Sequence, residues 1–234
     1  RAIDPKSVVE TVERLRDRVH ERFPSSGLSK VAGELLDVAQ SAASRAEAST
    51  RPLLTVRVAI ASLLVLLVVG VIMTVISLLR AGVREATAFE WVQTIEAGVN
   101  DLVFVAVAIF FLGSLESRIK RSRLLIAVHE LRAMAHVIDM HQLTKAPERT
   151  LLDGPDTASS PVRKLTPFEL SRYLDYCSEM LSLLGKIAAL YAQCTTDSGA
   201  LTAVDQIEDL TSGLSRKIWQ KLMILHRVHD ESAR

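Results

Sequence analysis

The sequence predicts an all-α membrane protein, and three observations carry the prediction. Two long apolar segments lie in the first half of a 234-residue chain, and runs of Lys and Arg flank them. The remaining segments repeat apolar residues at helical spacing, with no alternation that would suit a strand. Composition agrees, since 49% of the residues are hydrophobic and the mean hydropathy is +0.24, both high for a soluble chain.

Residues 1–50 read as an N-terminal helical hairpin. Asp4 followed by Pro5 is a strong helix start, and Val8, Val12, Leu15 and Val19 recur at spacings of four, three and four. The stretch PSSG at 24–27 ends that helix. A second helix is expected from about Ser29, with Val31, Leu35, Val38, Ala42 and Ala46 on one face, where small residues permit close packing.

Residues 51–116 read as a transmembrane hairpin with spans at about 55–79 and 96–115. Val58 to Leu79 is a run of 22 residues without a charge, and at about 1.5 Å per residue such a helix crosses a hydrocarbon layer of about 30 Å. The second segment, Leu102 to Leu115, has 14 uncharged residues. Reaching a full span means extending back to Glu96, past Asn100 and Asp101. Arg51 and Pro52 mark the approach to the membrane, and Phe89 and Trp91 in the connector are aromatics of the kind favoured at an interface. The first span lies too far along the chain, and lacks the small-residue cleavage site, for a signal peptide.

After the second span a helical stalk is expected over 117–143, with Leu124, Ala127, Leu131, Met134 and Ile138 as its apolar stripe. Residues 144–166, rich in Pro and polar residues, read as a linker. Thr166, Pro167 and Glu169 then form a capping box that opens a C-terminal antiparallel helical pair over 167–230. One seam runs through Leu170, Leu174, Cys177, Leu181, Leu184, Ala188 and Tyr191. Its counterpart is Val204, Ile207, Leu210, Leu214, Ile218, Leu222 and Leu225. A lone helical pair buries little, so this one is expected to dock on the stalk, on the N-terminal hairpin, or on a second copy of the chain.

Charge sets the expected orientation. Arg118, Lys120, Arg121 and Arg123 follow the second span, and Arg45 and Arg51 precede the first, which places both termini in the cytoplasm of a cell, on the inner membrane if the cell is bacterial. The same basic run is suited to anionic lipid headgroups. A net charge of +1 and the lack of interleaved basic and aromatic residues argue against nucleic acid. Cys177 and Cys194, in a reducing compartment, read as small core residues.

Candidate chemistry is sparse. Glu96, Asn100 and Asp101 are polar residues at the outer end of the second span, suited either to headgroup water or to the mouth of a cation pore. His129, Arg132, His136 and Asp139 share one face of the stalk. Of these His129, His136 and Asp139, with His226 and His229, are weak metal candidates that lack the spacing of a structural zinc site. HELRA at 129–133 breaks the HExxH pattern at Ala133, and no phosphate loop or nucleophile elbow is present. No cofactor is expected. The sequence reading is thus a non-enzymatic oligomeric scaffold or accessory subunit at the cytoplasmic membrane face, with bilayer and a second copy or membrane complex as partners. An ion-conducting pore lined partly by the second span is the alternative.

Overall fold

A computed structural model describes residues 2–49, 54–80, 88–145, 147, 157–159 and 165–232. Every regular element among the described residues is an α-helix: α1 (Pro5–Arg22), α2 (Gly27–Ser49), α3 (Leu54–Arg80), α4 (Ala88–Leu143), α5 (Pro167–Ala192) and α6 (Ser198–Ser232). They belong to two compact units, one of Arg1–Thr50 with Arg123–Arg234 and one of Arg51–Ser122. The long helix α4 contributes to both. Arg51, Pro52, the connector with Arg84, and most of the 144–166 linker lie outside the described residues.

The first unit is a bundle of α1, α2, the last third of α4, α5 and α6. Asp4 caps α1 by accepting from the backbone N–H groups of Lys6 and Ser7 at 3.3 and 3.2 Å. These bonds satisfy donors that a helix start leaves without intrahelical partners. The α1–α2 turn is tied by Ser26, whose Oγ donates to the Phe23 carbonyl at 2.8 Å and accepts from the Ser29 N–H at 3.2 Å. The second helix therefore begins at Gly27, ahead of the Ser29 start that the sequence suggests. Glycine at that first position leaves room for the His141 ring, since an added Cβ would come within 2.5 Å of its Cε1 and require the ring to shift.

Thr166 and Glu169 form the expected capping box at the start of α5, with the Glu169 N–H donating to Thr166 Oγ1 and the Thr166 N–H donating to Glu169 Oε2. The apolar seam from Leu170 to Tyr191 is buried throughout. So is a second set, Tyr173, Tyr176, Met180, Leu183, Ile187 and Leu190. A helix that is apolar on more than one face has to be surrounded, and α5 accordingly packs against α1, α2 and α6.

Side-chain bonds set the directions of the helices. The Ile3 N–H donates to Gln193 Oε1 at 2.9 Å and Arg18 pairs with Glu179 at 2.5 Å, so α1 runs antiparallel to α5. Cys194 Sγ donates to the Ala46 carbonyl at 3.6 Å, which brings the end of α2 to the end of α5. Arg45 lies 3.6 Å from Glu130 of α4, Arg132 donates to Gln206 of α6 at 2.7 Å, and Lys221 of α6 donates to Gln142. The end of α4 is therefore parallel to α6 and antiparallel to α2. One consequence is that residues 45–46, 130 and 193–194 share one end of the bundle. The α1–α2 turn, the C-terminus of α4 and the start of α5 share the other.

Residues 123–143 do not stand as a free stalk. Ala127, Val128, Leu131, Met134, Ala135 and Ile138 are buried in the bundle core with the seams of α5 and α6. The expected C-terminal pair thus docks within its own chain on both of the intramolecular surfaces named for it. Cys177 is buried in that core, whereas Cys194 is only half-buried at the end of α5.

Leu181 is fully buried. Leu181→Ala is expected to destabilise the bundle by about 2–5 kcal/mol, the range for deleting a buried leucine side chain with incomplete collapse of the void. Denaturant unfolding followed by far-ultraviolet circular dichroism measures it, and a loss below about 1 kcal/mol would contradict the placement of α5 at the centre.

Asp4 and Glu169 give a second test. Bonds to the side chain and backbone of Ser7 hold the Asp4 carboxyl below its ordinary value, and bonds to the backbone and hydroxyl of Thr166 do the same for Glu169. A carboxylate with a lowered folded-state pKa contributes stability above the ordinary carboxylate range and loses it as pH falls through the lowered value. Glu169→Gln is expected to flatten the loss of stability on acidification below about pH 5, measured by thermal melting across a pH series.

Candidate functional site

The apolar part of α4 presents its large side chains outward. Among the described residues one helix, α4 from Gly98 onward, is long and apolar enough to cross a membrane. Val103, Phe104, Val107, Phe110 and Phe111 are all exposed, Phe110 at 79%. A soluble chain rarely presents so much contiguous apolar surface to water. In α3 the described apolar stretch, Val58–Met73, is shorter than that of α4, although Val65, Leu66 and Val69 are likewise exposed.

Polar groups within this stretch are few. Ser114 donates its hydroxyl to the Phe111 carbonyl at 2.8 Å, a bond that spares it an orphaned donor in an apolar setting. Glu96 and Asn100 are exposed and lie four residues apart, hence on one face of α4. The Asp101 side chain lies outside the described residues. Arg118, Arg121 and Arg123 are exposed and Lys120 is half-buried, immediately beyond the apolar run.

The polar stripe farther along α4 is divided among different partners. Arg132 reaches Gln206. His129 and His136 are exposed, and Asp139 accepts from Gln142 Nε2 at 2.6 Å. His226 is exposed on α6, and His229 lies outside the described residues. No group of three or more His, Cys, Asp or Glu converges among the described residues. The cysteines are not activated either, because burial pushes the Cys177 thiol up to about 12 and raises that of Cys194. Reactive cysteines show the opposite shift.

A cavity of about 680 Å³ opens at the end of the bundle that holds the α1–α2 turn. Its walls come from that turn, from the last residues of α4, and from Leu165 and Tyr173 at the start of α5. Arg22, Lys145 and the imidazole of His141 line it. Aromatic rings hold two of them, with the Arg22 guanidinium 5.5 Å from the Phe168 ring centre and Lys145 Nζ 5.3 Å from that of Tyr173. The Tyr173 hydroxyl lies 3.5 Å from His141 Nδ1, and its pKa is raised by burial and secondarily by Cys177. No carboxylate is among the described lining residues. The nearest in effect is Glu169, which feels Arg22 but spends its Oε2 on Thr166.

These cavity residues were not singled out from the sequence, where 23–27 reads as a helix stop and 144–166 as a linker. They come from segments about 150 positions apart, and none forms a local motif. Gly27 beside a distant histidine has no sequence signal.

Beside the cavity, buried Gln142 joins α4 to α6: its Oε1 and carbonyl oxygen accept from Lys221 Nζ at 2.6 and 2.8 Å. Gln142→Ala is expected to cost about 1–3 kcal/mol, because it strips a part-buried ammonium of an acceptor. Lys221→Met should cost less, and a double variant that is no worse than Gln142→Ala alone would confirm the coupling. Protein-family models, curated proteins and solved structures were all compared with the chain, and none matches it.

Proposed function

We propose that the chain is an integral membrane protein in which α3 and α4 cross the bilayer as a two-span hairpin and the helical bundle acts at the cytoplasmic face. The reading assigns it a non-enzymatic role, as an oligomeric scaffold or accessory subunit. The observation that carries it is the common end of the bundle from which both connections leave. Arg45 at the end of α2 pairs with Glu130 early in the bundle part of α4. A two-span hairpin requires its two outer ends on one side of the bilayer, and a bundle whose connections emerge together meets that requirement without a crossing loop.

Two further features support it. Backbone groups in hydrocarbon have to be satisfied internally, which an unbroken helix such as α4 achieves. Arg118, Lys120, Arg121 and Arg123 at the end of the apolar run are retained on the cytoplasmic side by the usual bias, and each contributes about 1 kcal/mol near an anionic leaflet. For assembly, α6 exposes Trp219 and, one turn on, Met223.

Topology is tested by placing single cysteines at Glu85 and at Ser159 in a background without Cys177 and Cys194. An impermeant maleimide added to intact cells is expected to label the first and spare the second. Labelling at position 159, or at neither position in cells and both in lysates, defeats the hairpin. Assembly is tested by light scattering of the detergent-solubilised full chain. More than one copy per particle is expected, falling to one in Trp219→Glu/Met223→Glu with unchanged helicity; a monomeric wild type defeats the oligomer.

Glu96 and Asn100 on one exposed face of α4 favour a second reading, an ion-conducting pore lined partly by that helix. Asp101 follows them directly. Cation flux into liposomes that falls in Glu96→Gln and Asp101→Ala at equal incorporation supports the pore. No flux under either voltage or pH steps leaves the scaffold.

A further inference from the structure

We infer that the cavity at the α1–α2 turn is a binding site for a small soluble organic phosphate. The argument rests on its charge, its walls and its place in the fold. Arg22 approaches it from the end of α1, and His141 and Lys145 from the end of α4, and no carboxylate is among its described lining residues. Cations gathered on a folded surface repel one another, and such clusters usually carry acidic neighbours. Here Arg22 and Lys145 are steadied by aromatic rings, and Glu169, the carboxylate that feels Arg22, is engaged by Thr166.

Phosphate suits this set. A guanidinium offers a planar fork of donors to phosphate oxygens and an ammonium adds a point charge. The hydroxyl of Ser25 and that of Thr144 lie in the same walls. Val137, Met140 and Leu165 make the remaining wall apolar. A cavity of about 680 Å³ exceeds what a bare ion needs and falls in the range of small-molecule sites, about 300–1,000 Å³. The ligand therefore carries an apolar body beside its phosphate.

Position separates a soluble ligand from a lipid. The cavity lies at the end of the bundle opposite the two connections to residues 51–122, so a headgroup held by the basic run after the apolar stretch is a different event.

The test uses the full chain in neutral-lipid nanodiscs, titrated calorimetrically with phenyl phosphate, inorganic phosphate and phenol. Saturable binding of phenyl phosphate is expected, tighter than that of inorganic phosphate, with no binding of phenol. Arg22→Gln and Lys145→Gln should each weaken it about tenfold or more. Arg22 is exposed and Lys145 half-buried, and unchanged helicity and melting of the variants show that the fold is kept. Absence of phenyl phosphate binding to the wild type overturns the inference. So does binding that the double variant leaves unaltered, or phenol binding as well as phenyl phosphate.

Discussion

The bundle depends on the need to surround α5. Its buried residues occupy two faces, one running from Leu170 through Leu174, Cys177 and Leu181, the other through Tyr173, Tyr176, Met180 and Leu183. A single partner helix covers one such face, and α6 does so, with Gly185 allowing Thr211 to come within 3.3 Å of where a Cβ would stand. The other face has to be covered by helices from elsewhere. The hairpin of α1 and α2 supplies that cover, and Phe23 at its turn packs edge-on against Tyr173 and Tyr176 with ring centres 5.5 and 6.3 Å apart. Once α1 and α2 lie there, the groove left beside α2 and α6 is filled by the end of α4.

Polar groups follow the same logic at the periphery of that core. No buried side-chain nitrogen or oxygen among the described residues is left without a partner. Gln142 accepts from Lys221 and donates to Asp139, so a group that is 1% exposed keeps its bonding capacity in use. The ion pairs are otherwise at the surface, as with Arg18 and Glu179, each more than a third exposed. Such pairs contribute little to stability, and two of them, Arg18 with Glu179 and Arg45 with Glu130, join separate helices and so bear on register.

The two units obey opposite solvent rules. In the bundle large apolar side chains are inside, with exceptions such as Trp219 and Met223. Among the described residues of 51–122 many are exposed, Phe110 and Phe111 among them, and none is fully buried. One helix, α4, follows both rules in succession, and the change falls where the basic run from Arg118 to Arg123 occurs. Charge at that position discourages the apolar stretch from continuing and the bundle from being drawn into it. The cavity with Arg22, His141 and Lys145 sits at the other end of the bundle, where the helices splay around a turn and are least constrained to close-pack.

By itself the sequence determined the elements. Asp4–Pro5 and Thr166–Pro167–Glu169 mark helix starts because capping is a local matter of a few neighbouring atoms, and most residues of the stripes read from spacing are buried because one face of a helix must meet the core. The apolar segments and their basic flank were equally plain, since length and charge alone decide them. What only the tertiary structure decided was which stripe meets which. A seam of apolar residues suits any complementary seam, so the sequence left α5 and α6 free to dock in three ways. The selection was made by the second apolar face of α5, by the turn at Phe23, and by distant bonds such as Arg45 with Glu130. The basic cavity follows from that choice: Arg22, His141 and Lys145 meet because α1 and α4 end where α5 begins, and spacing along a chain carries no record of where helices end in space.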